Sequence, residues 1–286
     1  MLGAIEAGGT KFVCAVSDDD LNIEERITIP TTTPEETFTE VFKLFDRYEL
    51  KSIGIGSFGP IDIDKNSPTY GYITSTPKTL WRNVNFVEIF KEKYQVPIGW
   101  NTDVNAAALG EVTLGAAKEK DSCVYITVGT GIGGGAVVNG KPLTGYSHPE
   151  MGHFYVPRHP KDTYQGICDI HGDCLEGLAA GPAIEGRYGI KAENLPEDHE
   201  AWEIQAHYLA HAALAYTTIL SPDCIIFGGG VMHQKHLFKM VREKFDDILN
   251  SYLELPPLDE YIIPTKLGND SGILGSLLLA KQAAEN

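Results

Sequence analysis

Thr127-Val128-Gly129-Thr130-Gly131-Ile132-Gly133-Gly134-Gly135 places five glycines in nine residues, directly after the β-branched run Cys123–Val128. Glycine costs more chain entropy than any other residue, so such a density is kept where backbone must come close to something else. Residues 136–138 are apolar again, and Asn139-Gly140 is a strong hairpin signal. The unit reads strand, glycine turn, strand. It is not a Walker A loop, because Gly-Lys-Ser/Thr is missing. Nor is it a Rossmann fingerprint, because a strand follows where a helix should.

The chain opens on the same arrangement. Leu2–Ala7 is apolar, Gly8-Gly9 turns, and Lys11–Ser17 is apolar again. Asp18-Asp19-Asp20 marks a further turn, and residues 21–30 read as a third strand. Pro34 with Glu35 and Glu36 starts a helix predicted over 34–49. Short strands follow at Ser52–Ser57, 97–100 and 223–227, with helices at 103–115, 199–220, 236–252 and 271–284. Alternating strands and helices give an α/β class. The repeated opening unit predicts two α/β lobes with a cleft between them. Residues 1–117 form the first lobe and 118–270 the second, and the helix over 271–286 is placed to pack back on the first.

Composition narrows the function. With 39 Asp and Glu against 23 Lys and Arg, the net charge is -16, which repels nucleic-acid backbones. No apolar run reaches the ~18–20 residues that span a bilayer, and the first residues lack a signal-peptide pattern. A cytoplasmic protein is the default. Five cysteines, an odd number, point away from a disulfide framework and toward metal or free thiols.

Four motifs carry chemistry. In Glu6-Ala7-Gly8-Gly9-Thr10-Lys11, the glycines free backbone N–H groups for phosphate oxygens, Thr10 adds a hydroxyl and Lys11 a charge. Glu6 is a candidate carboxylate on the metal side; a plain hairpin is the alternative. Phe227-Gly228-Gly229-Gly230-Val231-Met232 follows a buried strand and fits either a backbone surface for adenine or a helix-entry loop. Asp103, at a strand end and a helix start, is either an N-cap or the base that phosphoryl transfer to an alcohol needs. His153 and Cys168-Asp169-Ile170-His171-Gly172-Asp173-Cys174 supply two cysteines and two histidines, enough for a closed tetrahedral zinc site. The alternative is a reduced thiol pair with surface histidines. Cys14, Cys123 and Cys224 read as buried small hydrophobes. His207 and His211, one helical turn apart, could share a metal but have no evident third ligand.

Together, in this order and across nearly the whole chain, these motifs resemble the ROK-family sugar kinases, and within them the bacterial fructokinases. The resemblance implies an actin-like ATPase (ribonuclease H-like) fold. It implies an ATP site in which Gly8, Gly9, Thr10, Lys11, Thr130, Gly131 and Gly133 hold phosphates. Gly228, Gly229, Gly230, Val231 and Met232 would lie near the adenosine, and Pro182 in the nucleotide wall. Asp103 would be the catalytic base. Glu150, His153 and Glu176 would contact the sugar, and His153, Cys168, His171 and Cys174 would bind structural Zn²⁺. Mg²⁺ and a homodimer are implied as well.

Three departures bear on the substrate. Glu6 stands where many members have Asp. Thr102-Asp103 replaces the Asn-Asp of glucokinase-like members, and Cys168-x-x-His171-x-x-Cys174 replaces their Cys-x-Cys-Gly-x-x-Gly-Cys. The last two are similar to the fructokinase branch, so D-fructose, phosphorylated at its 6-hydroxyl, is the expected substrate. Glucose, mannose, allose and N-acetylmannosamine are the alternatives. A non-catalytic regulator of the same fold is the rival reading; a repressor would need a DNA-binding segment ahead of Leu2.

Overall fold

Three strands open the chain, and polar turns separate them. β1 (Leu2–Ala7), β2 (Lys11–Ser17) and β3 (Ile23–Pro30) pair antiparallel. Asp18 closes the second turn, its carboxylate accepting the N–H groups of Asp20 and Asn22, each at 2.9 Å. Thr33 caps α1 (Pro34–Phe45) by accepting the Glu36 N–H at 3.3 Å. The helix stops short of the predicted residue 49. Its end tightens to three-residue bonds from Arg47 to Leu44 and from Tyr48 to Phe45. β4 (Ser52–Ser57) lies parallel to β1.

The stretch that follows has no predicted element, yet it holds β5 (Tyr72–Ile73), β6 (Val84–Asn85) and α2 (Phe86–Tyr94). Asn85 caps α2, its side-chain oxygen accepting the Glu88 N–H at 3.1 Å. β7 (Ile98–Thr102) then leads directly into α3 (Asp103–Leu114). The first sheet has the order β3-β2-β1-β4-β7.

The second half starts with β8 (Cys123–Val128) and β9 (Ile132–Val138), followed by the short β10 (Lys141–Pro142). Next come α4 (Leu175–Ala179), α5 (Gly181–Tyr188), α6 (Ala201–Leu220) and β11 (Cys224–Gly228). The last elements are α7 (His236–Leu249), α8 (Leu258–Tyr261), β12 (Ile262–Pro264) and α9 (Ser271–Glu285). The second sheet has the order β10-β9-β8-β11-β12. Its pattern of antiparallel β8/β9 and parallel β8/β11/β12 repeats that of β2/β1/β4/β7.

One expectation changes here. Gly133, Gly134 and Gly135 are ladder residues of β9, opposite Thr127, Ile126 and Tyr125, and do not belong to a loop. A Cβ on Gly134 would stand 2.6 Å from Met151 Cβ, so packing against Met151 demands the glycine.

These coordinates are a computed structural model that describes residues 1–285. They divide into two compact units. One comprises residues 1–113, 141–149 and 269 onward; the other comprises 114–140 and 150–268. The sequence places 141–149 with the second lobe. In the structure the segment clusters with the first unit, where His148 Nε2 accepts the Ile61 N–H at 3.0 Å.

In the first unit, alternation along β1 and β2 sends side chains to opposite faces of the sheet. Ile5, Ala7, Phe12, Cys14 and Val16 join an aromatic core with Phe38, Trp81, Phe86 and Phe90. Phe38 meets Trp81 edge-on, with ring centroids 5.3 Å apart. Each such side chain contributes about 2–3 kcal/mol by burial. Leu2, Ala4, Val13 and Ala15 face the other way, onto Ile273, Leu277 and Ala280 of α9. The approach of α9 is very close. A Cβ on Gly54 of β4 would fall 1.8 Å from the Ser276 carbonyl oxygen, and one on Gly275 would fall 1.7 Å from that of Ala106.

Candidate active site

The first unit gathers Glu6, the Gly8-Gly9 turn and Asp103. The turn is tight: the Gly8 N–H donates to the Lys11 carbonyl at 3.0 Å. Thr31 ties it from outside. Its Oγ1 donates to the Gly8 carbonyl at 2.8 Å and its N–H to the Thr10 carbonyl at 3.0 Å. Among the described residues, no acceptor takes the N–H groups of Gly9 and Thr10, which leaves two donors for a ligand. Thr10 and Lys11 are exposed.

Glu6 pairs with Gly56 across β1 and β4, and a Cβ on Gly56 would stand 3.3 Å from Asp103 Cα. The Glu6 carboxyl is pushed up to about 7, first by burial and then by the charge of Asp103, while Arg26 and Lys11 act the other way. Its Oε2 is buried without a hydrogen-bond partner. A buried carboxylate oxygen in that condition is costly unless a cation or donor arrives.

Asp103 is the first residue of α3 and does not cap it. Thr102 takes the cap, its Oγ1 accepting the Asn105 N–H at 3.1 Å. Asp103 Oδ1 accepts the adjacent Val104 N–H at 2.9 Å. Below it, Asn101 Oδ1 accepts both the Thr102 N–H at 2.9 Å and the Asn105 amide at 2.8 Å. The start of α3 is therefore rigid. Thr102 is buried, with its hydroxyl engaged at the start of α3.

The second unit gathers the remaining candidates around β9. Gly129 and Gly131 close a turn through a 2.9 Å bond from the Gly129 N–H to the Gly131 carbonyl. The Gly129 carbonyl accepts the Gly181 N–H at 2.8 Å, at the start of α5, beside Pro182. The N–H groups of Thr130 and Gly131 have no acceptor among the described residues. Gly133 is committed to the β9 ladder. At the end of β11, Gly229 adopts φ +88, and a Cβ there would lie 2.5 Å from the Val128 carbonyl oxygen. Gly230, Val231 and Met232 follow in a 3₁₀ turn, Val231 and Met232 buried and Gly230 open, where the sequence reading allowed an α-helix entry.

Glu150-Met151-Gly152-His153 folds as a turn, with the His153 N–H donating to the Glu150 carbonyl at 3.1 Å. A Cβ on Gly152 would sit 1.8 Å from the Ile132 carbonyl oxygen, so only glycine lets this turn reach β9. Tyr216 of α6 holds the turn from below, its hydroxyl donating to the Met151 carbonyl at 2.6 Å. Glu176 Oε2 accepts the Ile132 N–H at 2.9 Å, and its Oε1 stands 3.9 Å from His153 Nε2. Desolvation holds the Glu150 carboxyl above the usual carboxylate range; His153 draws it down and Glu176 raises it.

His153, Cys168, His171 and Cys174 bring four ligand atoms within 4.8 Å of one another. Cys168 Sγ lies 3.8 Å from His153 Nδ1 and 3.7 Å from His171 Nδ1, and Cys174 Sγ lies 3.7 Å from His153 Nδ1. Zinc bond lengths in a tetrahedral site imply sulfur–nitrogen edges of about 3.6 Å. The donor set and spacing therefore fit zinc. The Cys174 thiol is raised by burial and by the neighbouring Cys168, a condition that a divalent cation reverses. Cys14, Cys123 and Cys224 are fully buried in strands. His207 turns its Nε2 to the Pro157 carbonyl at 2.8 Å.

The sequence model of the ROK family matches residues 2–283. The chain belongs to the ROK family. A fructokinase of Streptococcus mutans serotype c is 50% identical over 99% of this chain and 98% of its own length. A fructokinase of Pediococcus pentosaceus is 48% identical over 100% and 99%. Among solved structures, the ROK hexokinase of Thermus thermophilus superposes with a TM-score of 0.81 at 26% identity, covering 99% of both chains. The fold is thus the actin-like ATPase fold of ROK sugar kinases, here as two α/β sheets of matching strand order. Among the described residues no helix is long and apolar enough to cross a membrane.

Three supports of this ROK-family site escape sequence reasoning: the tie from Thr31 to the glycine turn, the Asn101–Asn105 clamp under Asp103, and the bond from Ile132 to Glu176. Asn101 and Asn105, four residues apart, left a signal in the sequence. The other two are long-range and left none.

Proposed function

We propose that the chain is an ATP-dependent fructokinase that transfers the terminal phosphoryl group of ATP to the 6-hydroxyl of D-fructose. The observation that carries this reading is the end-to-end identity with fructokinases, with no segment of the chain left outside the match.

In this reading, the free N–H groups of Gly9 and Thr10 and those of Thr130 and Gly131 hold phosphate oxygens, with Lys11 and Gly133 in the same loops. Pro182, Gly228, Gly229, Gly230, Val231 and Met232 line the nucleoside side. Glu150, His153 and Glu176 bind sugar hydroxyls. Asp103 takes the proton of the 6-hydroxyl as its oxygen bonds to the γ-phosphorus and the bond to the ADP oxygen breaks. That the Thr102 hydroxyl supplies the helix cap is compatible with that role. The partnerless Glu6 Oε2 fits the metal side of a Mg-ATP complex, where magnesium would neutralise phosphate charge. Zinc on His153, Cys168, His171 and Cys174 is structural: four protein ligands leave no open position, and the ion pins a segment poor in regular structure. A cytoplasmic homodimer completes the reading.

The test is ATP consumption with Mg²⁺ across fructose, glucose, mannose, allose and N-acetylmannosamine. A kcat/KM for fructose far above the others is the expected result. Preference for another sugar keeps the kinase and removes fructose; no turnover by a folded, nucleotide-binding sample removes the kinase.

A further inference from the structure

We propose that Lys78 is a ligand of the transferred phosphoryl group, acting from outside the glycine-turn motif. This inference rests on the kinase reading above. A Cβ on Gly9 would stand 2.8 Å from Lys78 Cε, 3.8 Å from its Cδ and 3.9 Å from its Nζ. The lysine stem therefore crosses directly over the turn whose Gly9 and Thr10 N–H groups have no acceptor. Gly9 is not in the left-handed region, and the three atoms nearest its Cβ position all belong to the Lys78 side chain.

The segment bearing Lys78 is fixed in place. The Lys78 N–H donates to Thr76 Oγ1 at 3.3 Å, and Thr76 is fully buried. Arg82 Nε donates to the Thr76 carbonyl at 2.7 Å. The Lys78 carbonyl accepts the Trp81 N–H at 2.9 Å, and Trp81, 1% exposed, donates its Nε1–H to the Thr32 carbonyl at 2.9 Å. Trp81 also packs on Phe12 of β2, with centroids 5.2 Å apart. The ammonium is thus delivered to the turn by an anchored backbone.

Charge supports the assignment. In a chain with a net charge of -16, Lys78 is exposed and forms no ion pair among the described residues. An unpaired cation, two free N–H groups and Lys11 together make a site for a dianionic group. The turn shares its unit with Asp103, which would face the hydroxyl attacking the γ-phosphorus. Glu6, two residues before the turn, pairs with Gly56, whose Cβ position stands 3.3 Å from Asp103 Cα, and on this basis the phosphate held under Lys78 is assigned as the one being transferred.

The test compares Lys78→Met, which keeps the stem and loses the charge, with Lys78→Arg. Calorimetry with ADP and with a non-hydrolysable ATP analogue reads binding without turnover. Lys78→Met should bind the analogue about tenfold more weakly and ADP within about twofold of the parent chain. Its kcat/KM for ATP with fructose should fall about 10²-fold, with partial recovery in Lys78→Arg. Unchanged analogue binding, or an equal loss for ADP and the analogue, would overturn the assignment. A parent chain that binds both nucleotides but phosphorylates no sugar would sink the kinase reading, while the binding comparison still decides Lys78.

Discussion

His153 Nε2 stands 3.9 Å from Glu176 Oε1, while the opposite nitrogen of the same ring faces the sulfurs of Cys168 and Cys174 at 3.8 and 3.7 Å. Glu176 in turn receives the Ile132 N–H at the end of the glycine turn. One imidazole and one carboxylate thereby link the cysteine cluster to the Gly129–Gly131 turn within the second unit.

Glu176 should consequently respond differently to two substitutions. Glu176→Gln keeps an acceptor for Ile132 and loses the charge. It should raise KM for fructose by about 10- to 100-fold, the worth of a charged hydrogen bond, and leave KM for ATP nearly unchanged. Glu176→Ala also releases the turn and should raise both. Steady-state kinetics with each substrate varied separates them; equal effects from the two variants would contradict the bond to Ile132.

Thr102 and Asp103 are adjacent; Thr102 carries the helix cap, and the proposed reading gives the chemistry to Asp103. Asp103→Asn should lower kcat by about 10²- to 10⁴-fold with little change in thermal stability. Thr102→Val should cost about 1 kcal/mol of stability through the lost cap. Turnover and thermal unfolding measured on both variants test the split; a stable, fully active Asp103→Asn enzyme would remove Asp103 from the reaction.

The sulfur and nitrogen spacing of the cluster predicts one zinc per chain. Removing it should expose Cys168 and Cys174 to thiol reagents, increase hydrogen exchange over residues 153–174 and lower the unfolding temperature. Elemental analysis and exchange before and after chelation give the answer. A metal-free chain with undiminished stability would show that the four residues are held by packing alone.

His148 makes stability depend on pH. Burial holds its pKa below the ordinary 6.5, and its neutral Nε2 accepts the Ile61 N–H. The unfolded chain takes up a proton as pH falls through 6.5, and the folded chain resists until its own lower pKa. Stability is therefore full above 6.5 and declines below it. His148→Gln keeps an acceptor without the titration. Urea midpoints between about pH 7.5 and about pH 5.5 should fall more for the parent chain than for this variant.

Gly54→Ala should be among the most damaging single-methyl additions. The new carbon meets backbone of α9 at 1.8 Å, and a backbone carbonyl cannot swing aside as a side chain does. Overpacking costs about 1–3 kcal/mol at ordinary sites, and this contact lies at or above the top of that range. Denaturant unfolding measures it; a loss under about 0.5 kcal/mol would mean that α9 slides freely on the sheet.

The sequence by itself determined the repeated strand–glycine turn–strand units, the α/β class, the family, and the short-range clusters such as Cys168-x-x-His171-x-x-Cys174. Alternation, turn residues and ligand spacing are local properties, written in neighbouring positions. The sequence also showed that Asp103 starts a helix, with both cap and base open to that position; the structure gives the cap to the Thr102 hydroxyl on Asn105. The glycines at 133–135 read as a loop because composition records the absence of a side chain, not its cause; at Gly134 the cause is Met151 packed on β9. Gly54 and Gly275 gave no signal at all, because the α9 backbone that excludes their Cβ atoms comes from far along the chain. Lys78 over Gly9, and Glu176 between Ile132 and His153, are likewise contacts between segments that only folding brings together. What depended on periodicity could be read along the chain; what depended on which atoms meet across it was decided by the tertiary structure.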